Sequence, residues 1–324
     1  MKRREFMTGL GGAIVAWPLP LAAQPTARRP RLGILIFSNP QTDPNTESFR
    51  RGMRDLGYVE GRNFEIEYRS AEGKPERFAE LSAELVQLKP EVLFALGGDV
   101  TPSLSKATQT IPIVYAMSAD PVKLGLAASL ARPGGNATGV TFLSDELAAK
   151  RLEILKEAAP RISRVAFVWN PDHADNELDG ARRAAAAHAI ELQSLEVRGA
   201  GDLDRAFAAA TQAGVDAVYV VSSRHTVANL RRIVDFATTN RLPLAGGWGT
   251  WAQAGGLISY GPNVDGMIRG AASYVDKILK GAKPGELPIQ QPTRFELLVN
   301  LKTAKALGLT IPEAFLLRAD KVIE

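Results

Sequence analysis

The chain has 324 residues, 45% of them hydrophobic and 23% charged, a balance that suits an ordinary globular protein and excludes a disordered or fibrous one. Of its formal charge of +4, Lys2, Arg3, Arg4 and Glu5 carry +2, and the remaining +2 is too small and scattered to argue for a nucleic-acid partner. With 0 cysteines and 3 histidines (His173, His188, His225) at no metal-ligand spacing, disulfide frameworks, thiol catalysis and a sequence-local metal site are excluded.

The first predicted element is a targeting segment. Lys2-Arg3-Arg4-Glu5-Phe6-Met7, an apolar stretch from Leu10 to Leu21, and Ala22-Ala23-Gln24 follow the order of an export signal. Paired arginines point to the twin-arginine route. Lys2 stands where that route usually has Ser or Thr, so the general secretory route stays open. A membrane anchor needs about 20 apolar residues, and this stretch is shorter and broken by Pro18 and Pro20. Residues 1–23 are therefore expected to be cleaved, leaving a chain that starts near Gln24. No cysteine stands there to carry a lipid, so a free periplasmic protein is expected.

Strands and helices then alternate. Arg31 to Phe37 is an apolar run closed by Ser38-Asn39-Pro40. Phe49, Met53 and Leu56 predict a helix over Thr46–Leu56, stopped by Gly57. Phe64–Tyr68 alternates like a strand. Pro75–Leu88 is amphipathic, with Phe78, Leu81, Leu85 and Leu88 on one face. Val92–Leu96 reads as a buried strand ending at Gly97-Gly98, and Ile111–Ala116 as another with Pro112 near its start.

The order then repeats. Arg164–Trp169 is a strand closed by Asn170-Pro171, and Asn176–Ala189 an alanine-rich helix. Glu191–Glu196, the helix Leu203–Ala213, and Ala217–Val221 ending at Ser222-Ser223 follow. A helix over Asn229–Thr239 leads to Leu242-Pro243-Leu244, the start of the matching later strand. Asn39-Pro40 and Asn170-Pro171 lie 131 residues apart, as do Pro112 and Pro243. The predicted fold is α/β: two Rossmann-like lobes with parallel sheets, joined by a multi-strand hinge. Asn136–Phe142, Gly255–Gly261 (followed by a helix over Val264–Leu279) and Leu287–Pro292 are the expected crossings. They place residues 31–140 with 258–285 in the first lobe, and 141–257 with 286–324 in the second.

Sequence motifs for chemistry are sparse. There is no phosphate-cradling glycine loop after a strand and no nucleophile elbow. A set of Ser222, His225 and Asp120 has no spacing to select it. Asp99, Asp120 and Asp172 follow predicted strands, where turn formers and helix caps are common. Trp248 and Trp251 follow the strand that starts at Pro243. Lobe packing and a stacking wall for a ligand are both open readings for them.

Five stretches carry a resemblance: Phe49 to Gly61 (FRRGMRDLGYVEG), Ile66 to Arg69, Ala127 to Asn136 (AASLARPGGN), Tyr260 to Asn263, and Asn300 to Leu309 (NLKTAKALGL). In these the chain resembles ABC-transporter substrate-binding proteins of the tryptophan/tyrosine-type group, within the type I periplasmic binding fold. The resemblance implies capture of a small molecule between hinged lobes, an amino acid or aromatic compound among the candidates, and delivery to an ABC permease of the inner membrane. It implies no cofactor and no covalent chemistry, and a monomer is expected. Many relatives carry Gly-Thr-Pro where this chain has Gly97-Gly98-Asp99, and Asp-Pro where it has Ser222-Ser223, so ligand specificity does not carry over. A sensor subunit, or less readily a hydrolase on a similar fold, is the alternative.

Ligands of open α/β sheets sit beyond the strands' C-terminal ends. The candidate ligand residues are therefore Ser38, Asn39, Gly97, Gly98, Asp99, Ser118 and Asp120 in the first lobe, and Asn170, Ser222, Ser223 and Trp248 in the second. No catalytic or metal-binding residue is assigned.

Overall fold

The computed structural model describes residues 29–97, 99–142, 147–173 and 177–324. The expected signal over 1–23, the candidate Gly98 and the expected first residue of the alanine-rich helix, Asn176, lie outside the described residues.

The first lobe is a parallel five-stranded sheet. Its strands are β1 (Arg31–Ile36), β2 (Glu65–Ser70), β3 (Val92–Leu96), β4 (Ile113–Met117) and β5 (Ala137–Thr141), in the order β2-β1-β3-β4-β5. Every residue of β3 and β4 is buried, as parallel strands covered on both faces must be. One face carries α1 (Pro44–Asp55) and α10 (Val264–Leu279); Phe49 stacks on Phe94 of β3 at 4.0 Å between ring centres. Asp43 starts α1 by accepting from the backbone N–H of Asn45 and Thr46, and Pro44 follows where no intrahelical N–H is needed. The other face carries α2 (Phe78–Gln87), through Leu81 and Leu85, and α3 (Thr101–Ala107), through Leu104.

The second lobe repeats this order and extends it. It comprises α4 (Ala148–Ala158), β6 (Arg164–Trp169), α5 (Glu177–Ala187), β7 (Glu191–Glu196), α6 (Leu203–Ala213) and β8 (Ala217–Val220). There follow α7 (Arg224–Ala228), α8 (Leu230–Thr239), β9 (Leu244–Gly246), α9 (Gly249–Gln253) and β10 (Ile258–Pro262). After α10, the chain adds β11 (Phe295–Asn300), α11 (Leu301–Leu307), α12 (Glu313–Leu316) and β12 (Lys321–Ile323). The sheet order is β12-β11-β10-β9-β8-β6-β7. Its segment β7-β6-β8-β9-β10 matches the first lobe strand for strand, which is the repetition read from the sequence.

The lobe boundaries differ from those expected. Residues 258–262 form β10, hydrogen-bonded between β9 and β11 in the second sheet, so the chain enters the first lobe after Pro262 rather than at 258. Residues 286–290 stay with the first lobe: Gln290 bridges to Val140, Thr141 N donates to Gln290 O, and Ile289 packs in that lobe's core. The return therefore falls between Gln290 and Phe295. Because β10 ends and β11 begins at the edge facing the first lobe, β11 runs antiparallel to β10, pairing Phe295 with Pro262. This is the one departure, among the described strands, from the expected all-parallel sheets. Asn136–Phe142, expected as a crossing, contains β5, the edge strand of the first sheet.

Under the edge of the second sheet lies a buried ionic cluster. Arg151 pairs with Glu177, both shielded from solvent, and Tyr219 donates to Glu177 at 2.7 Å. Arg151 also donates to Tyr260 O at 3.0 Å. Burial works against the Arg151 charge, but Glu177 and Tyr219 more than offset it, so the guanidinium is held charged; burial pushes the Tyr219 phenol far above its ordinary range. Removing one member leaves the other buried and uncompensated, which costs about 3–5 kcal/mol. Arg151→Met is accordingly expected to lower the unfolding free energy by about that amount, measured by urea denaturation, with a matching fall in the midpoint.

Candidate functional site

In each sheet the strand order reverses direction between the first and third strands, β1 and β3 or β6 and β8. Ligands of such sheets bind at this switch point, outside the C-terminal ends. The two switch points face each other. From the first lobe come the loops after β1 (Phe37–Asp43), β3 (from Gly97), β4 (Ser118–Asp120) and β5 (Phe142). From the second come those after β6 (Asn170–His173), β8 (Ser222–Arg224) and β9 (Gly247–Trp248).

Three cavities run along the seam, of about 690, 360 and 20 Å³. Asn45 and Trp248 line all three, and Arg224 lines the two inner ones. The indole of Trp248 packs against the cores of both lobes and meets Phe142 edge-on at 6.2 Å. Its Nε1 is buried without a hydrogen-bond partner. Trp251, three residues on, is fully buried and donates to Ser222 Oγ at 2.9 Å. Of the two tryptophans, Trp251 is core, while Trp248 both packs between the lobes and lines the cavities, so the two readings meet in one side chain.

Arg224 extends from the second lobe against Gly97 of the first. A Cβ on Gly97 would stand 2.1 Å from Arg224 Nε, and Gly97 has a φ of +123° that favours glycine. The guanidinium Nε is buried and unpartnered. Burial lowers the Arg224 pKa, and the charges of Asp43 and Asp99 work in the opposite direction.

Three polar side chains span the lobes. His173 Nδ1 lies 3.0 Å from Asp99 Oδ1, and His173 Nε2 lies 3.1 Å from Ser118 Oγ. Beside them His225 sets its ring edge-on to Phe37, 4.7 Å between centres. Burial lowers the His225 pKa; Asp99, Asp172 and Asp202 oppose that shift and His173 adds to it.

The remaining predicted residues hold the loops. Ser38 lines the 360 Å³ cavity while its hydroxyl bonds Asp43. Asn39 is exposed and accepts from Gln41 N at 2.9 Å, a turn-forming role away from the cavities. Asp120 accepts from Val122 N at 2.8 Å and likewise shapes a turn. Asn170 is buried; its side chain accepts from Asp172 N and its carbonyl from His173 N, which positions His173. Ser222 lines the innermost cavity and accepts from Gly247 N and Trp251 Nε1. Ser223 caps α7, its Oγ accepting from Thr226 N. Gly97, Asp99, Ser118, Ser222 and Trp248 are therefore brought together, with Ser38 at the margin.

Arg224, His173, Asn45 and Phe142 were not among the sequence candidates. Arg224 lies immediately beyond a loop that was, and Phe142 ends the segment Asn136–Phe142 that was expected only as a crossing. An arginine directly after Ser222-Ser223 was the available signal, and pairing a strand-end histidine with Asp99 required the tertiary fold.

A sequence profile of the family described as ABC transporter substrate binding protein matches residues 33–323. A tyrosine-binding protein of Clostridioides difficile is 23% identical over 277 residues, covering 85% of this chain and 79% of the relative. A conserved domain protein from Vibrio cholerae, of known crystal structure, is 28% identical with a TM-score of 0.84, over 91% of this chain and 100% of that one. A Streptococcus pneumoniae ABC domain in complex with L-Trp has a TM-score of 0.83 at 22% identity, over the same shares. With a profile match that runs through both lobes and the two facing switch points, the chain belongs to the ABC transporter substrate-binding protein family.

Proposed function

We propose that the protein captures a small organic solute, of amino-acid or aromatic type, in the seam between its lobes and hands it to an ABC permease of the inner membrane. The observation that carries this reading is Trp248, which lines every cavity of the seam and touches the cores of both lobes. An indole there offers a flat apolar wall. The L-Trp complex and the tyrosine-binding relative support the solute class. The Lys2-Arg3-Arg4 start supports export through a cleaved, twin-arginine-type signal. No helix among the described residues is long and apolar enough to cross a membrane. The protein acts as a free periplasmic monomer without a cofactor.

Closure is the mechanism. Asp99 and Ser118 belong to the first lobe and His173 to the second, so their contacts exist only when the lobes meet. The chain passes three times between lobes, after Phe142, after Pro262 and after Gln290, and these crossings are the hinge. A ligand that touches both lobes favours the closed state by its differential affinity for it.

The order Asp99–His173–Ser118 is also that of a nucleophilic relay. That observation favours a second reading, hydrolysis of a bound ester or amide. The cavity of about 20 Å³ beside Ser118 is too small for a scissile group with both its substituents, which favours the clasp.

Four outcomes are expected. Stripped by unfolding and refolding, the protein gains several degrees in melting temperature with a tight solute from a panel of aromatic acids and aromatic and branched amino acids, and the solute keeps its mass over hours. Its consumption, abolished by Ser118→Ala, would establish the hydrolase instead. Trp248→Ala weakens that solute at least about tenfold by calorimetry. Asp99→Asn raises the open fraction, read as a larger radius of gyration by small-angle scattering at saturating solute. A His225 pKa held below its unfolded value contributes stability that is complete above about pH 6.5 and is lost as pH falls through the folded value. The melting temperature should therefore drop as pH falls below about 6.5, and His225→Gln should flatten that drop.

A further inference from the structure

Arg224 has no hydrogen-bond or ion-pair partner among the described residues, and its Nε is buried at the seam. The carboxylates whose charges reach it are engaged elsewhere. Asp43 holds the start of α1 and Ser38 Oγ. Asp99 holds His173. A second buried donor, Trp248 Nε1, is also unpartnered and lines the same two cavities. Desolvating part of a charge without a counter-ion is costly, so a half-buried guanidinium with a desolvated, unpartnered Nε is a place for a negative group that enters with the solute.

We propose that Arg224 and Trp248 receive the carboxylate of a monoanionic organic acid whose apolar body lies against Trp248 and Phe37. The inference rests on the solute-binding reading above and adds the chemical class of the solute. The two inner cavities have no lysine and no second arginine among their lining residues, and His173 there is committed to the clasp. One guanidinium matches one carboxylate; a phosphate dianion calls for more donors than this. Gly97 makes the approach possible, because any side chain there would occupy the guanidinium's place.

The test is calorimetry on the refolded protein with matched probes that differ only at the polar end. One series is indole-3-propionate, its amide and tryptamine; others are phenylacetate, 4-methylpentanoate and the amide and amine of each. At least one acid should bind, with its amide and amine weaker by about tenfold or more. Arg224→Leu and Arg224→Gln should weaken that acid at least about tenfold, Arg224→Lys should retain part of the affinity, and the ligand-free melting temperature should be unchanged or higher. A merely structural arginine would lower that temperature when removed, and this outcome overturns the inference. So does an amide or amine that binds as tightly as its acid, or the absence of binding by every acid. If a neutral solute such as a sugar raises the melting temperature of the wild type instead, the acid assignment fails and the solute-binding reading stands. If a probe is chemically consumed, the solute-binding reading itself fails.

Discussion

A parallel sheet delivers the C-terminal ends of all its strands to one edge, and in this protein two such edges are held face to face. That constraint places every loop of the site. Loops after β1, β3, β4 and β5 start at the C-terminal edge of their sheet, as do those after β6, β8 and β9 of theirs, so each begins at the seam. The same constraint explains β11. A chain that leaves the second sheet at its facing edge after Pro262 must return to that edge, and it runs back antiparallel from Phe295. The hinge and the site are thus consequences of one arrangement, in which strands end where lobes meet.

Much of this was legible in the sequence because strand ends carry chemical punctuation. Asn-Pro after β1 and β6, and glycine or serine after β3 and β8, marked the facing loops, and the 131-residue offset marked the duplication. Predicted strands and observed strands coincide for Val92–Leu96, Arg164–Trp169 and Glu191–Glu196. The lobe boundaries were less legible. Residues 258–262 alternate like any strand, and only their hydrogen bonds to β9 and β11 assign them to a lobe. Within the candidate site, residue type alone did not separate a cavity-lining side chain from a turn former. Asn39 and Asn170 occupy equivalent loop positions, yet one is exposed and the other buried beneath His173. Trp248 and Trp251 are three residues apart, yet Trp251 is fully buried with its indole N–H on Ser222 while Trp248 lines the seam cavities.

The second lobe has a buried support directly under the loop that bears Trp248. A Cβ on Gly247 would stand 2.8 Å from Arg151 and 3.2 Å from Ser222 Oγ, so the loop bearing Trp248 rests on the buried Arg151–Glu177–Tyr219 cluster. Apolar replacement of a buried ion pair is often as stable or more so. What the cluster supplies here is directional: Arg151 bonds the carbonyl of Tyr260 on β10, two residues before the chain crosses to the first lobe. The Trp248 loop and the strand that leads to one crossing are tied to the same guanidinium.

Closure without a solute is opposed by the charge that closure buries. The direct links across the seam are modest: the His173 clasp, the His225–Phe37 contact and the Trp248–Phe142 edge. Against them stands a guanidinium whose Nε is out of water and has no hydrogen-bond partner. An arriving acid changes both sides of that balance, because it neutralises Arg224 and adds contacts to both lobes. Its differential affinity for the closed state is then larger than its contacts alone would give. A neutral solute of the same shape would gain the contacts and leave the guanidinium unpaired. Discrimination of this kind needs no clash in the cavity, since the selective element is a buried charge that only the right partner satisfies.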